Sequence, residues 1–345
     1  MGYELRTKVV EPKRNTYTNL IERFGDKPAS RYQEGSYNIQ PMENFHYRPT
    51  WDPAHNIYDP DFSALKLTDP YGYSDPRQMY YAPYVTDGAQ RHEAFGQTLK
   101  YIEQRRLLDK MPESFQIVLT NFVLPLRHYE SGANLLSIAG TRFAWGTTVE
   151  QPMIFSAFDR MGNAQQLTLI GLALAGGAGG TLAEAKRNWM YSPQLQPLRR
   201  IMEELLIEKD WAIGIIGLDL IDVQLYPMLY AHLDDRSLGR GAMAYSLLAR
   251  HFYDWHENNR KWLVALYKAW VNDSEHGDAN KKLLQEIVNR WYPPACAAVH
   301  SIAQGITDLA GSTTILAAAE RGAAEVAAKF AAVGIPVASA QGAAA

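Results

Sequence analysis

Asp159-Arg160-Met161-Gly162-Asn163-Ala164-Gln165 sits inside a long apolar stretch, and its reading decides the fold. On a helix, residues three apart share a face. Helical bundles that hold paired metals place Glu and His at that spacing, both aimed inward. Here the two positions are Arg160 and Asn163. A guanidinium stays cationic and repels a metal. An amide is a poor iron ligand. The stretch therefore has the spacing of a metal helix without its chemistry.

The sequence on either side supplies a helical body. Upstream, residues 90–110 carry Phe95, Leu99, Ile102, Arg106 and Leu107 at helical spacing. Met111-Pro112-Glu113-Ser114 ends that run, and Phe115 to Phe143 reads as a long apolar helix kinked or broken at Pro125. Pro152 falls near the first turn of the helix that contains Arg160 and runs to Ala175. Downstream, Leu182 to Met190 and Leu198 to Lys209 read as short amphipathic helices. Trp211 to Leu233 is almost wholly apolar and should be buried on most sides. Asp234-Asp235-Arg236-Ser237 reads as a loop before a long helix over Gly241 to Asn272. Lys281 to Arg290 continues helical until Tyr292-Pro293-Pro294 interrupts it. Ala295 to Ala310 and Thr313 to Val333 close the body. No strand-like alternation rivals these patterns. The chain is read as all-α: an antiparallel bundle with additional helices packed around it.

Residues 1–90 are different in kind. Prolines such as Pro41, Pro49, Pro53, Pro60, Pro70, Pro76 and Pro83 forbid long helices, and tyrosines alternate with them. We read an extended N-terminal arm over 1–90, a helical bundle domain over 91–335 and a frayed tail over 336–345. Aromatic side chains in an extended arm need a surface to pack on. That surface is the chain's own body or another subunit, and a partner is expected to contribute.

Bulk properties exclude several classes. A formal net charge of −3 over 345 residues gives no footprint for nucleic acid or a membrane surface. Cys296 is the only cysteine, so neither an internal disulfide nor a cysteine metal site is available. Met1 to Arg6 lacks the apolar core of a signal peptide. No run of about 18 apolar residues suggests a span, Leu167 to Ala175 being the nearest. The expectation is a cytoplasmic protein.

The remaining motifs are sparse. Gly176 to Gly180 lacks the Lys-Ser/Thr of a phosphate loop and reads as an interhelical turn. His128, Glu130, His256 and Glu257 are the ligand-type residues of the bundle helices. In His256-Glu257-Asn258-Asn259 the offsets that should carry a ligand pair hold His256 and Asn259, and Glu257 is rotated about 100° away. Asp219 and Asp222 share a face of an apolar helix. Buried carboxylates are costly unless paired, so Arg160 or another cation is expected beside one of them.

Two stretches carry a resemblance. One runs from Lys186-Arg187-Asn188-Trp189-Met190-Tyr191-Ser192-Pro193 through Gln196, Arg199, Arg200, Ile201, Glu203, Glu204, Leu205 and Leu206 to Asp210-Trp211. The other is Ser30 to Tyr37 followed by Tyr47-Arg48-Pro49. In this order they resemble the β subunit of the hydroxylase component of bacterial multicomponent phenol hydroxylases. Those enzymes belong to the soluble diiron monooxygenases, with the toluene and methane monooxygenases. The likeness extends over roughly residues 25–330.

The resemblance implies a ferritin-like, ribonucleotide-reductase-like bundle whose metal site has been lost. Against the family's ligand pattern, Glu130 keeps a carboxylate in the first helix. Arg160 and Asn163 fill the second helix's slots, Ile221 the third's, and His256 and Asn259 the fourth's. No metal, cofactor or catalytic residue is then expected in this chain. The implied partners are an α subunit holding the diiron centre and a γ subunit, in an (αβγ)2 assembly. A regulatory protein and a reductase with FAD and a 2Fe-2S cluster would serve the complex, which turns phenols into catechols with O2 and NADH. Two other readings stay open from the residues alone. One is a self-contained metal-dependent oxygenase with an atypical site near His128, Glu130, Asp222 and His256. The other is a helical adaptor protein.

Overall fold

Apolar spacing produces helices along most of the chain. The computed structural model describes residues 17–25, 27–41, 53–177, 179–239, 241–310 and 313–337. Two short helices come first, α1 (Thr18–Phe24) and α2 (Arg31–Ser36). Ser30 caps α2 and its partner Gln33 caps back, a reciprocal box that fixes where the helix starts. The body then runs α3 (Tyr81–Gln104), α4 (Glu113–Val118), α5 (Leu126–Phe143), α6 (Thr147–Leu174), α7 (Gly180–Tyr191) and α8 (Gln196–Leu206). It continues with α9 (Trp211–Pro227), α10 (Leu233–Gly239), α11 (Met243–Val271), α12 (Gly277–Ala310) and α13 (Thr314–Ala331). Among the described residues there is no strand.

Helix α9 is the axis of the body. All but two of its residues are buried, and α5, α8, α11, α12 and α13 pack around it. Asp210 caps it by accepting from the Ala212 amide, and the same carboxylate accepts from Ser63 and the Ala64 amide. One side chain thus starts the central helix and pins the preceding segment to it. The stretch Trp211–His232 is long and apolar enough to cross a membrane, a better fit than Leu167 to Ala175. Its most apolar 18-residue window is 89% buried inside the protein, and the stretch serves as core.

Several expectations need correction. Helix α3 begins at Tyr81, not near Gln90; Pro83 falls in its first turn, where no amide donor is required. The tract at Tyr292-Pro293-Pro294 lies within a continuous α12. The carbonyls that lose their i+4 amide donor are those of Asn289 and Arg290, both at exposed positions. Buried Trp291, Tyr292, Ala295 and Ala298 hold the helix on both sides. Asp234 to Ser237 is helical within α10, because a π-turn at Met228–His232 carries the chain on from Pro227 and buried Leu233 anchors it. The break expected at Pro125 is present, with a second π-turn over Leu119–Val123 just before it.

The described part of the arm lies on the chain's own bundle. Phe62 stacks on Phe143 at 4.3 Å, and Tyr73 donates to the Trp262 carbonyl at 3.1 Å. Gln40 bonds the Ala144 carbonyl, the Gly146 amide and Glu150. Asn280 pairs with both backbone groups of Lys66. Tyr47, Arg48, Pro49 and the tail from 338 fall outside the described residues.

Candidate functional site

Four helices aim side chains at one buried point. Helix α5 supplies Tyr129 and Glu130, α6 supplies Arg160 and Asn163, α9 supplies Asp222 and Tyr226, and α11 supplies Trp255 and His256. Arg160 is at the centre, with 1% of its surface exposed. Its Nη1 donates to Glu130 at 3.2 Å, Asp222 at 3.3 Å and the Tyr226 hydroxyl at 3.2 Å, while Nη2 donates to the other Asp222 oxygen. The guanidinium carbon sits 4.7 Å above the Trp255 ring, a cation–π contact out of water.

Two tyrosines finish the network. Tyr129 donates to Asp222 at 2.6 Å, and Tyr226 donates to Glu130 at 2.5 Å. Tyr226 in turn accepts from Asn163 at 3.4 Å. Burial raises the Glu130 and Asp222 carboxyls, with Arg160 opposing the shift. Burial works against the Arg160 charge as well, but Asp222 and Glu130 outweigh it and fix the cation well above its ordinary range. The result is a closed electrostatic knot joining α5, α6 and α9.

The contribution of α9 comes from Asp222. Its neighbour Ile221 is fully buried in the apolar core. Asp219, three residues before Asp222, meets a different cation: Arg260 bonds it at 2.8 and 3.1 Å, and Tyr267 donates at 3.2 Å. Both acidic residues of the apolar helix are therefore paired, each with its own arginine.

The other ligand-type residues scatter. His128 lies two residues from Glu130 and turns away to stack on Trp189 at 6.1 Å. Burial, then Arg127 and Lys186, push its pKa down to about 4. His256 stacks on Tyr226 at 4.8 Å, and burial first, then Arg160, keeps its ring neutral. Glu257 is exposed, as the 100° rotation requires. Asn259 donates to Ser156 at 3.3 Å. Among the described residues no group of three or more His, Cys, Asp or Glu could hold a metal ion. The residues that converge here do not fit a diiron centre, because the Arg160 cation stands within hydrogen-bond distance of both Glu130 and Asp222.

Sequence reasoning did not single out Tyr129, Tyr226, Trp255 or Asp159. Asp159 accepts from Tyr84 at 3.1 Å, Arg91 at 3.0 Å and Trp255 at 2.9 Å, fastening α3 and α11 to α6. The spacing of Asp222 and Tyr226, one helical turn apart, was the available signal. Long-range partners such as Trp255 leave none.

An all-helical bundle with four helices converging on a filled centre defines a class, and the sequence places the chain in it. Residues 51–274 match the family described as Methane/Phenol/Alkene Hydroxylase, and the chain belongs to that family. It is 40% identical to the phenol 2-monooxygenase oxygenase component DmpL of Pseudomonas sp. (strain CF600), covering 90% of this chain and 93% of the relative. It is 35% identical to the corresponding component MhpL of Acinetobacter pittii (strain PHEA-2), over 87% and 88% of the two chains. A chain of xenon-pressurized phenol hydroxylase from Pseudomonas sp. OX1 superposes with a TM-score of 0.88 at 35% identity, covering 96% of this chain and 99% of that one.

Proposed function

We propose that this chain is the non-catalytic, structural β subunit of a multicomponent phenol hydroxylase that converts phenols to catechols with O2 and NADH. The observation that carries the reading is the Arg160 guanidinium lying between Glu130 and Asp222. The oxygen chemistry would belong to a diiron centre in an α partner. A γ chain would complete an (αβγ)2 assembly in the cytoplasm. A reductase carrying FAD and a 2Fe-2S cluster, and a small regulatory protein, would act on that complex. Within the chain, an arm over 1–90 and a bundle over 91–335 would divide the contacts.

The outer face of the α5–α6 pair supports a structural role. Leu135 and Ile138 on α5, and Phe158, Met161 and Leu169 on α6, are all exposed. The two helices pack directly on each other. Exposed apolar side chains grouped on paired helices mark an interaction surface more often than free solvent contact. The occupant is the α chain, whose interface with β should be large and obligate.

The test is iron per chain, measured by metal mass spectrometry after expression with and without partners encoded alongside. Iron found only when a large partner co-purifies is the expected result. About two irons in the lone chain would overturn the reading, because diiron sites need that number.

A further inference from the structure

The packing around Arg160 leaves polar atoms without partners, and they gather on one wall. A cavity of about 30 Å3 lies between α5, α6, α9 and α11. Its lining includes Arg160 of α6 and His256, Asn259 and Trp262 of α11. The last three follow at intervals of three residues, which sets them along one face of the helix. Among the described residues ten buried side-chain polar atoms have no hydrogen-bond partner. Four of the ten belong to this wall: Arg160 Nε, His256 Nε2, Asn259 Oδ1 and Trp262 Nε1. The other polar side chains that line it, Ser137, Ser156, Asp219, Asp222 and Arg260, are already bonded. Buried polar atoms without partners are uncommon, and four around one space call for a shared partner.

The wall sets the chemistry of that partner. Its charges balance, two arginines against two aspartates, so an ion would bring an unpaired charge into a low-dielectric interior. A neutral group is required. Arg160 Nε and Trp262 Nε1 only donate, and Asn259 Oδ1 only accepts. The His256 ring is neutral, and its Nε2 accepts when Nδ1 carries the proton. Two donors and two acceptors match one water molecule, which accepts two hydrogen bonds and donates two. A water needs roughly 10–15 Å3 of such space, so the cavity has room for it.

We infer that an ordered water occupies this cavity, accepting from Arg160 and Trp262 and donating to Asn259 and His256. It ties α11 to the guanidinium by hydrogen bonds, where Arg160 otherwise meets that helix through the face of Trp255. Asn259 also lines a larger cavity of about 290 Å3, together with Trp255 and the partly exposed Arg91. Its side chain stands between the two spaces and is where the water would pass as it exchanges. The inference goes beyond the proposed function and does not depend on it.

A crystal structure of the full-length chain, purified with whatever partners accompany it, tests this directly. At a resolution that shows solvent, one peak is expected within about 2.7–3.2 Å of all four atoms. No peak overturns the inference, as does a peak with anomalous scattering, which would be an ion. Crystals pressurised with xenon are expected to carry none at this position, since the gas enters dry apolar voids. Xenon bound there would overturn the inference as well. Asn259→Leu removes one acceptor and fills the space. It is expected to lose the peak, and the amides of α11 should exchange with deuterium about tenfold faster than in the unaltered protein. A peak that persists unchanged in Asn259→Leu overturns the four-point assignment. Should that variant fail to fold, Trp262→Phe carries the same exchange comparison with one donor removed. Unchanged exchange along α11 would overturn the water's part in holding that helix.

Discussion

Arg160 and Arg260 solve the same problem in two places: a carboxylate buried in an apolar helix. Removing one member of such a pair leaves an uncompensated charge and costs about 3–5 kcal/mol. Arg260→Met should therefore destabilise the protein by about that amount, because Tyr267 alone remains on Asp219. Denaturant unfolding checks this, and a loss below about 1 kcal/mol would show that Asp219 is not held by the pair. His128 gives a pH dependence. Its pKa is 6.5 in the unfolded chain and about 4 in the folded one. Between those values the unfolded state binds the proton that the folded state refuses, so stability falls as pH drops through that window. The half-buried ring should cost about 1 kcal/mol at pH 5 after allowing for solvent contact. His128→Phe keeps the stack on Trp189 and should flatten the slope of melting temperature between pH 7 and pH 5. Equal slopes in the two proteins would remove His128 as the cause.

Helices approach closely only where a side chain is missing. Gly217 on α9 faces Leu205 of α8, and an added methyl would overlap the Leu205 side chain. Gly217→Ala should cost about 1–3 kcal/mol by overpacking, and Gly217→Ala/Leu205→Val should recover part of it. A neutral Gly217→Ala would mean that α8 shifts freely. Gly96 on α3 is the opposite case, with nothing within 4 Å of where a Cβ would stand. There Gly96→Ala should raise stability by about 0.5–1 kcal/mol through helix propensity alone, visible as a higher melting temperature. The same scale shows what was legible. The period of apolar residues located nearly every helix of the body, because burial of one face imposes that period. Boundaries at Pro293-Pro294 and at Asp234 were misplaced because tertiary burial outweighs the local cost of a proline or a charged run, and that at Tyr81 because Pro83 sits in a first turn, where it costs nothing. That outcome depends on Trp291, Tyr292 and Leu233, which a local window cannot weigh.

At the scale of the whole molecule the exposed α5–α6 face makes the sharpest prediction. Phe158→Lys/Met161→Lys places two charges on a surface that already lies outside the fold. The variant should keep its helical content and melting behaviour while losing the large partner on co-purification. Retained association would place the interface elsewhere, and loss of folding would mean the face is internal support. The arm is the second feature at this scale. Its described aromatics and polar groups are anchored on the chain's own body, through Phe143, Trp262, Asp210 and Asn280. A contact with a partner would therefore use what those anchors leave outward.

The sequence by itself determined that the chain is a helical bundle and that Arg160 and Asn163 stand three apart where a metal helix would carry Glu and His. Both follow from local facts: a 3.6-residue period, and the permanent charge of a guanidinium, which repels a metal whatever surrounds it. Only the tertiary structure decided what Arg160 pairs with. Whether Arg160 met Asp219 or Asp222, whether α9 offered Ile221 or Asp222, and whether His128 joined Glu130 all depend on how four helices rotate against one another. Helix rotation is set by packing between segments far apart in the chain, where a shift of one residue turns a side chain by about 100°.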